Sequence, residues 1–213
     1  VIKLHLLSIA GNIEKKMMNK NTTEQKIIKA ADKLFTQKGY AATKTREIAE
    51  EAETNLALLN YYFGSKEKLY KKVVQEKFRI LLGAIGPVMW DETIPLEDKI
   101  RLITENYTKL LIENEELPIF ILNELTINKE LFKEITENAR LIAQPVIEKQ
   151  LKERNIEMTA SHLIVNILSL TIFPFVAKPL IISSGLVKKE EFVDFVSERK
   201  EKILEWITAT IKK

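Results

Sequence analysis

Cysteine is absent from the 213 residues of this chain. Disulfides, thiolate nucleophiles, Cys-ligated zinc and thiol redox sensing are thereby excluded. Histidine is scarce: His5 and His162 are the only two, too few for a multi-histidine metal site or a histidine-centred triad. No metal and no cofactor is expected. Glycine and proline number six each. Hairpin-rich folds need many tight turns, so this scarcity points to long helices. A nucleotide-binding glycine loop is missing as well. An enzyme would have to work with carboxylates, lysines and tyrosines alone, and none is expected here. A membrane span is not expected either. The apolar run Leu163–Ala177 covers fifteen residues, contains Asn166 and Pro174 and ends at Lys178, which is too short and too interrupted.

The charge looks neutral in sum but not in place. The net value is +3. Residues 20–72 carry eleven basic against seven acidic side chains, and residues 73–213 carry nineteen against twenty-two. A basic front on an acidic body suggests that the front meets a polyanion. Residues 1–19 fit neither part. Lys3 and the apolar run Leu4–Ala10 sketch a signal peptide faintly, and Met17 or Met18 offers a plainer start. This stretch is expected to be a leader or extension outside the fold.

The front reads as short helices. Thr22 with Gln25 makes a capping box. Ile27, Ala31, Leu34 and Phe35 then recur on one helical face, and Gly39 suits the left-handed residue that ends a helix. Thr43 is expected to cap a second helix of about two turns, with Ile48, Ala49 and Ala52 as its apolar contacts. Beyond a tight connection at Glu53-Thr54, Asn55 caps a third helix from Leu56 to Tyr62. Gly64 breaks it, and Ser65 caps a long fourth. Two short helices joined by a three- or four-residue turn form a helix-turn-helix. An ordinary helical bundle is the plainer reading of the same spacing.

The segment GYAATKTREIAEEAETNLALLNYYFGSKEKLY resembles the N-terminal domain of the TetR family of transcriptional regulators. The resemblance covers roughly Thr22 to Val74 and includes Phe35, Gly39-Tyr40, Thr43, Arg46, Ile48-Ala49, Ala52, Leu59, Tyr62-Phe63 and Ser65-Lys66-Glu67. Glu53 stands where the family usually has glycine, and Thr54 where valine is common. If position 53 takes positive φ, glutamate costs about 1 kcal/mol relative to glycine.

The resemblance implies that double-stranded DNA is a partner and that the third helix enters the major groove. Arg46, Asn55, Leu56, Ala57 and Asn60 are the base-reading candidates. Arg46 offers a forked donor pair to guanine or else an ion pair to Glu50. Asn60 reads adenine or is a solvated amide. Leu56 and Ala57 can touch only thymine methyl groups, and Leu58 is either DNA-facing or core. Thr43, Lys44, Thr45, Tyr61, Tyr62 and Lys66 are the phosphate candidates.

The rest reads as helices over 65–85, 96–112, 118–125, 129–154 with Pro145 inside, 159–182 broken by Pro174 and Pro179, and 190–212. The resemblance implies that this body dimerises and holds a ligand. Its C-terminal helices, with Phe192, Phe195, Ile203 and Trp206, would form a four-helix interface with a second copy. Asn106, Tyr107, Phe120, Asn123, Asn166 and Phe173 are candidates for a pocket taking a small apolar effector, although each is equally compatible with ordinary core or surface. The expected fold is all-α: a leader (1–19), a three-helix helix-turn-helix domain (20–64) and a larger helical ligand-binding and dimerisation domain (65–213). The expected function is that of a cytoplasmic, ligand-released repressor that binds a near-palindromic operator as a homodimer. The alternative is a helical small-molecule or partner-binding module that no longer binds DNA.

Overall fold

The computed structural model describes residues 23–127 and 144–211. Among them every regular element is helical. The expected leader and the Thr22 cap lie outside the described residues. The chain divides into two compact units, one ending at Glu76 and one beginning at Lys77.

The first unit starts with α1 (23–42), which buries the expected face of Ile27, Ala31, Leu34 and Phe35. Gly39 sits at φ 77° near its end. Helix α2 (Thr45–Glu51) follows. Its N-cap position is held by Lys44 rather than Thr43, and the Glu47 carboxylate accepts a hydrogen bond from the Lys44 backbone N–H at 3.1 Å. Thr43 is only 1% exposed. Its hydroxyl lies 2.8 Å from the Gly39 carbonyl and 3.2 Å from that of Leu34, so it pins the corner from below. The expected Thr43 cap is corrected accordingly: a buried hydroxyl seeks the nearest carbonyl, and Glu47 takes over the orphan donor.

The end of α2 shows how the connection is made without glycine. Thr54 N–H donates to the Ala49 carbonyl at 2.9 Å, and Glu53 N–H to that of Glu50 at 3.0 Å. That nested pair is a Schellman ending, which requires a left-handed residue at Glu53; Glu53 has φ 52°. Helix α3 (Leu56–Phe63) is capped by Asn55, whose side chain accepts from Leu58 N–H at 2.8 Å. Leu59 and Phe63 are buried. Gly64, at φ 71°, ends α3, and Ser65 Oγ accepts from Lys68 N–H at 3.2 Å to start α4 (Lys66–Gly83). One core, with Ile27, Phe35, Ile48, Leu59, Leu69 and Val73 among its members, ties α1, α2, α3 and the start of α4 together.

The second unit takes the rest of α4, then α5 (Gly86–Trp90), α6 (Leu96–Glu113), α7 (Leu117–Ile127), α8 (144–153), α9 (Ala160–Val176), α10 (Lys178–Ser183) and α11 (Phe192–Ile211). A short 3-10 turn, Lys189–Glu191, leads into α11. The expected helix over 129–154 is described only from 144, with Pro145 near that point. The core is built on α6, α9 and α11, through Ile100, Ile103, Leu163, Ile167, Ile203 and Ile207. Among the described residues no helix is long and apolar enough to cross a membrane.

Helix α9 differs from expectation because it runs unbroken through Pro174. Proline has no N–H to donate four residues back, which orphans the Leu170 carbonyl. Arg199 on α11 fills the gap: its Nε donates to Leu170 O at 3.3 Å, and its guanidinium lies over the rings of Phe195 and Trp206. Lys99 does similar work at the end of α5. It is 1% exposed, and its ammonium donates to the carbonyls of Val88 (2.6 Å), Met89 (3.5 Å) and Asp91. Burial lowers its pKa, partly offset by the charges of Asp91 and Glu92.

Two stability predictions follow from these contacts. Replacing Glu53 by glycine relieves the left-handed strain at the cost of one exposed, 3.9 Å pair with Lys26, worth little; thermal unfolding should report a gain of about 1 kcal/mol. Replacing Lys99 by methionine strands buried carbonyls and should lower stability by about 2–3 kcal/mol in a denaturant titration.

Candidate nucleic-acid interface and body cavity

The solvent-facing part of the first unit is made by the starts of α2 and α4 and by the outer face of α3. Ala57, Leu58, Asn60 and Tyr61 are exposed and Leu56 is half-buried, while Leu59 and Phe63 turn inward. Leu58 therefore lies on the surface side. Asn55 is exposed, but its side-chain oxygen is committed to the cap, which leaves its amide nitrogen for a base. Tyr61 packs edge-on against the half-buried Tyr62, with ring centroids 5.4 Å apart.

Charge is sorted across α2. Glu47, Glu51 and Glu53 are met by lysines of α1: Lys38–Glu47 at 3.3 Å, Lys33–Glu51 at 2.5 Å and Lys26–Glu53 at 3.9 Å. The Lys44 N–H and the Lys38 ammonium hold the Glu47 carboxyl below its ordinary pKa. Arg46 and Lys44 stand exposed, and among the described residues neither makes an ion pair. The alternative partner of Arg46, Glu50, is not within bonding distance. Thr45 is half-buried in the same turn. The carboxylates of α2 that would repel a phosphate are thus largely satisfied from behind, while its cations remain available.

Lys66 is half-buried at the start of α4, with its ammonium 4.3 Å from the centre of the Tyr40 ring and 3.5 Å from the Ala41 carbonyl. An ammonium carries three donors, so this tether positions the charge and leaves donors for an anion. Thr43 is the phosphate candidate that the geometry does not bring to the surface. Its hydroxyl is buried beneath the α1–α2 corner.

The second unit contains a cavity of about 470 Å³. Its walls come from Phe78, Leu81 and Leu82 of α4, Met89 and Trp90 of α5, Leu122 and Leu125 of α7, and Ile164, Val165 and Leu168 of α9. Of the six residues expected there, only Tyr107 lines it. Asn106 is exposed, and its amide donates to the Ala84 carbonyl at 2.9 Å. Phe120 is half-buried under the Lys77 ammonium at 4.9 Å. Asn123, Asn166 and Phe173 face solvent. The polar residues singled out from sequence are surface groups. The walls are aliphatic stripes, legible only as the 161, 164–165, 168, 172 spacing of α9. Gly86 also shapes the cavity, since a Cβ there would meet the Trp90 ring at 3.0 Å.

Residues 27–73 match the family model described as bacterial regulatory proteins, tetR family. The Bacillus subtilis protein YttP, described as a probable HTH-type transcriptional regulator, is 28% identical over 91% of this chain and 96% of its own. The Pseudomonas putida HTH-type transcriptional repressor NicS is 30% identical over 41% of this chain and 42% of its own. Residues 27–73 thus form a DNA-binding domain of the tetR family type. The fold of the chain agrees with that of a solved TetR-family transcriptional regulator from Haemophilus influenzae, with a TM-score of 0.58 at 20% identity, over 86% of this chain and 97% of that one. The chain is a transcriptional regulator with a DNA-binding domain, and not an enzyme.

The interface separates two kinds of contact that mutation can tell apart. Arg46→Ala should cost about 1–3 kcal/mol on a preferred site and relax its sequence at one base pair. Lys66→Ala should weaken preferred and random duplexes alike. Fluorescence anisotropy on both duplexes reads the difference; an equal loss on both for Arg46→Ala would contradict base reading.

Proposed function

We propose that the chain is a cytoplasmic repressor that binds a near-palindromic operator as a homodimer and leaves it when a small molecule occupies the body cavity. The observation that carries the DNA half is the sorting of charge on α2: Glu47 and Glu51 are paired to lysines of α1, and Arg46 makes no ion pair among the described residues and stands exposed. A helix of eight residues reads only a few bases. Useful specificity then calls for two copies related by a two-fold axis. The apolar surface for this lies on the C-terminal helices. Phe173 on α9 is 60% exposed, and Val193 and Trp206 on α11 are 45% exposed each, a pattern that suits an isologous helical interface. Phe192 and Ile203, expected in that interface, are buried within their own unit, so Phe173 takes their place in the proposed face. Domain roles follow the same reading: residues 20–64, with the first turns of α4, read DNA, and the remainder binds ligand and dimerises.

Release needs an effector that favours one arrangement of the DNA-reading heads over another. Helix α4 is the proposed lever. Leu69 and Val73 belong to the head core, and Phe78, Leu81 and Leu82 of the same helix wall the cavity. Selection of bound sequences from random duplex DNA tests the proposal. We expect a two-fold symmetric consensus with half-sites about 10 base pairs apart, or a multiple of that. A single unpaired half-site would overturn the dimer, and absence of any enrichment would overturn sequence reading.

A further inference from the structure

Tyr107 lies on α6, in the wall of the cavity, and only 2% of it is exposed. Its hydroxyl makes no hydrogen bond among the described residues, and it is not one of the fully enclosed polar atoms, so it opens onto the cavity. A tyrosine with its ring packed away and its hydroxyl open to a cavity has an apolar body and one uncommitted donor, which suits the wall of a ligand site. The other polar side chains on the wall are Gln144 and Ser161, both neutral. No Asp, Glu, Lys, Arg or His is among the described residues that line it. An ionised ligand group packed against these residues would lose water and gain no counter-charge from them. The volume, about 470 Å³, falls in the range that encloses a drug-sized molecule.

We infer that the effector is an uncharged, mainly hydrocarbon molecule carrying one hydrogen-bond acceptor, such as an ester or ketone oxygen, that receives the Tyr107 O–H. This rests on the proposed ligand-release reading and narrows it to a chemical class. The phenol keeps its proton for that bond, since burial pushes its pKa above the ordinary tyrosine value. Specificity then comes from the Tyr107 donor and from the apolar walls. A carboxylate of the same chain length is disfavoured because its charge meets no cation among the described lining residues.

The test uses the full chain with methyl octanoate and methyl dodecanoate, each compared with its free carboxylate, by isothermal titration calorimetry. Trp90, which stands in the wall, serves as a fluorescent reporter. We expect at least one ester to bind, about tenfold or more tighter than its carboxylate. Tyr107→Phe should weaken the ester by about three- to tenfold while leaving the ligand-free melting temperature unchanged or raised. Carboxylate binding as tight as the ester, or no binding of either ester, overturns the inference. A clear fall in melting temperature for Tyr107→Phe overturns the anchor, because it means that the chain itself satisfies the hydroxyl. Operator affinity is measured in parallel. Esters that bind as expected yet leave it unchanged support the ligand class and defeat ligand release alone.

Discussion

Helices of seven and eight residues do not persist in water, because nucleation costs more than so few hydrogen bonds return. The DNA-reading head is built around that constraint. Its two short helices are held by α1 on one side and the first turns of α4 on the other, through a single core that includes Ile27, Ile48, Leu59 and Leu69. The connection between them is fixed just as tightly. The paired bonds from Thr54 to Ala49 and from Glu53 to Glu50 set the exit angle of α2, and the Asn55 cap starts α3 one residue later. Because those termini are closed by local bonds, the outer face of α3 is free to be chosen for its partner rather than for its own stability. That is why Ala57, Leu58, Asn60 and Tyr61 can all stand exposed on one helix.

Local signals made much of this head legible. The apolar faces of α1 and α3, the left-handed glycines at 39 and 64, and the caps at Asn55 and Ser65 depend on residues within a few positions of one another. Positive φ at Glu53 was a condition that sequence could state and only geometry could meet. Thr43 shows where local reading stops. A threonine before a helix looks like a cap, but the carbonyls of Gly39 and Leu34 lie beneath it, and the cap passes to Glu47. The competition was between two legitimate partners for one hydroxyl, and tertiary packing decided it. The pairing of the α2 carboxylates was hidden for the same reason. Lys33 and Glu51 are eighteen residues apart, a separation that no helical periodicity links.

The body was legible as elements but not as a site. Helix limits at Leu96, Leu117 and Ala160 fall close to where proline and threonine place them. The cavity escaped because polar residues in an apolar stretch invite a functional reading, whereas Asn106, Asn123 and Asn166 lie on the surface. Tyr107 was found because it is both large and polar. Pro174 was misleading in the opposite direction. Its missing donor suggested a break, yet a break is needed only if the orphaned carbonyl has nowhere to turn. Arg199, twenty-five residues further along the chain, supplies the donor from α11, and its stacking on Phe195 and Trp206 holds it there. Lys99 repeats the solution at the end of α5. In both places a cation serves backbone oxygens rather than a carboxylate, which lets a helix end or a proline sit within the body without stranding polar atoms.

The two sites run on opposite physics. At the head the candidate contacts are Arg46, Lys44 and Lys66, exposed or half-exposed charges whose attraction to phosphate would weaken as salt rises. In the body the described cavity wall is mainly hydrocarbon, with Tyr107, Ser161 and Gln144 as its polar groups, and the free energy of filling it comes from removing apolar surface from water, which salt hardly opposes. A ligand of the inferred class has no charge with which to compete for phosphate contacts, so electrostatics cannot carry its influence to the head. What remains is packing. Phe78, Leu81 and Leu82 stand on α4, and the same helix places Leu69 and Val73 in the head core. The proposed ligand release would then work by steric displacement of α4 rather than by a contest of charges.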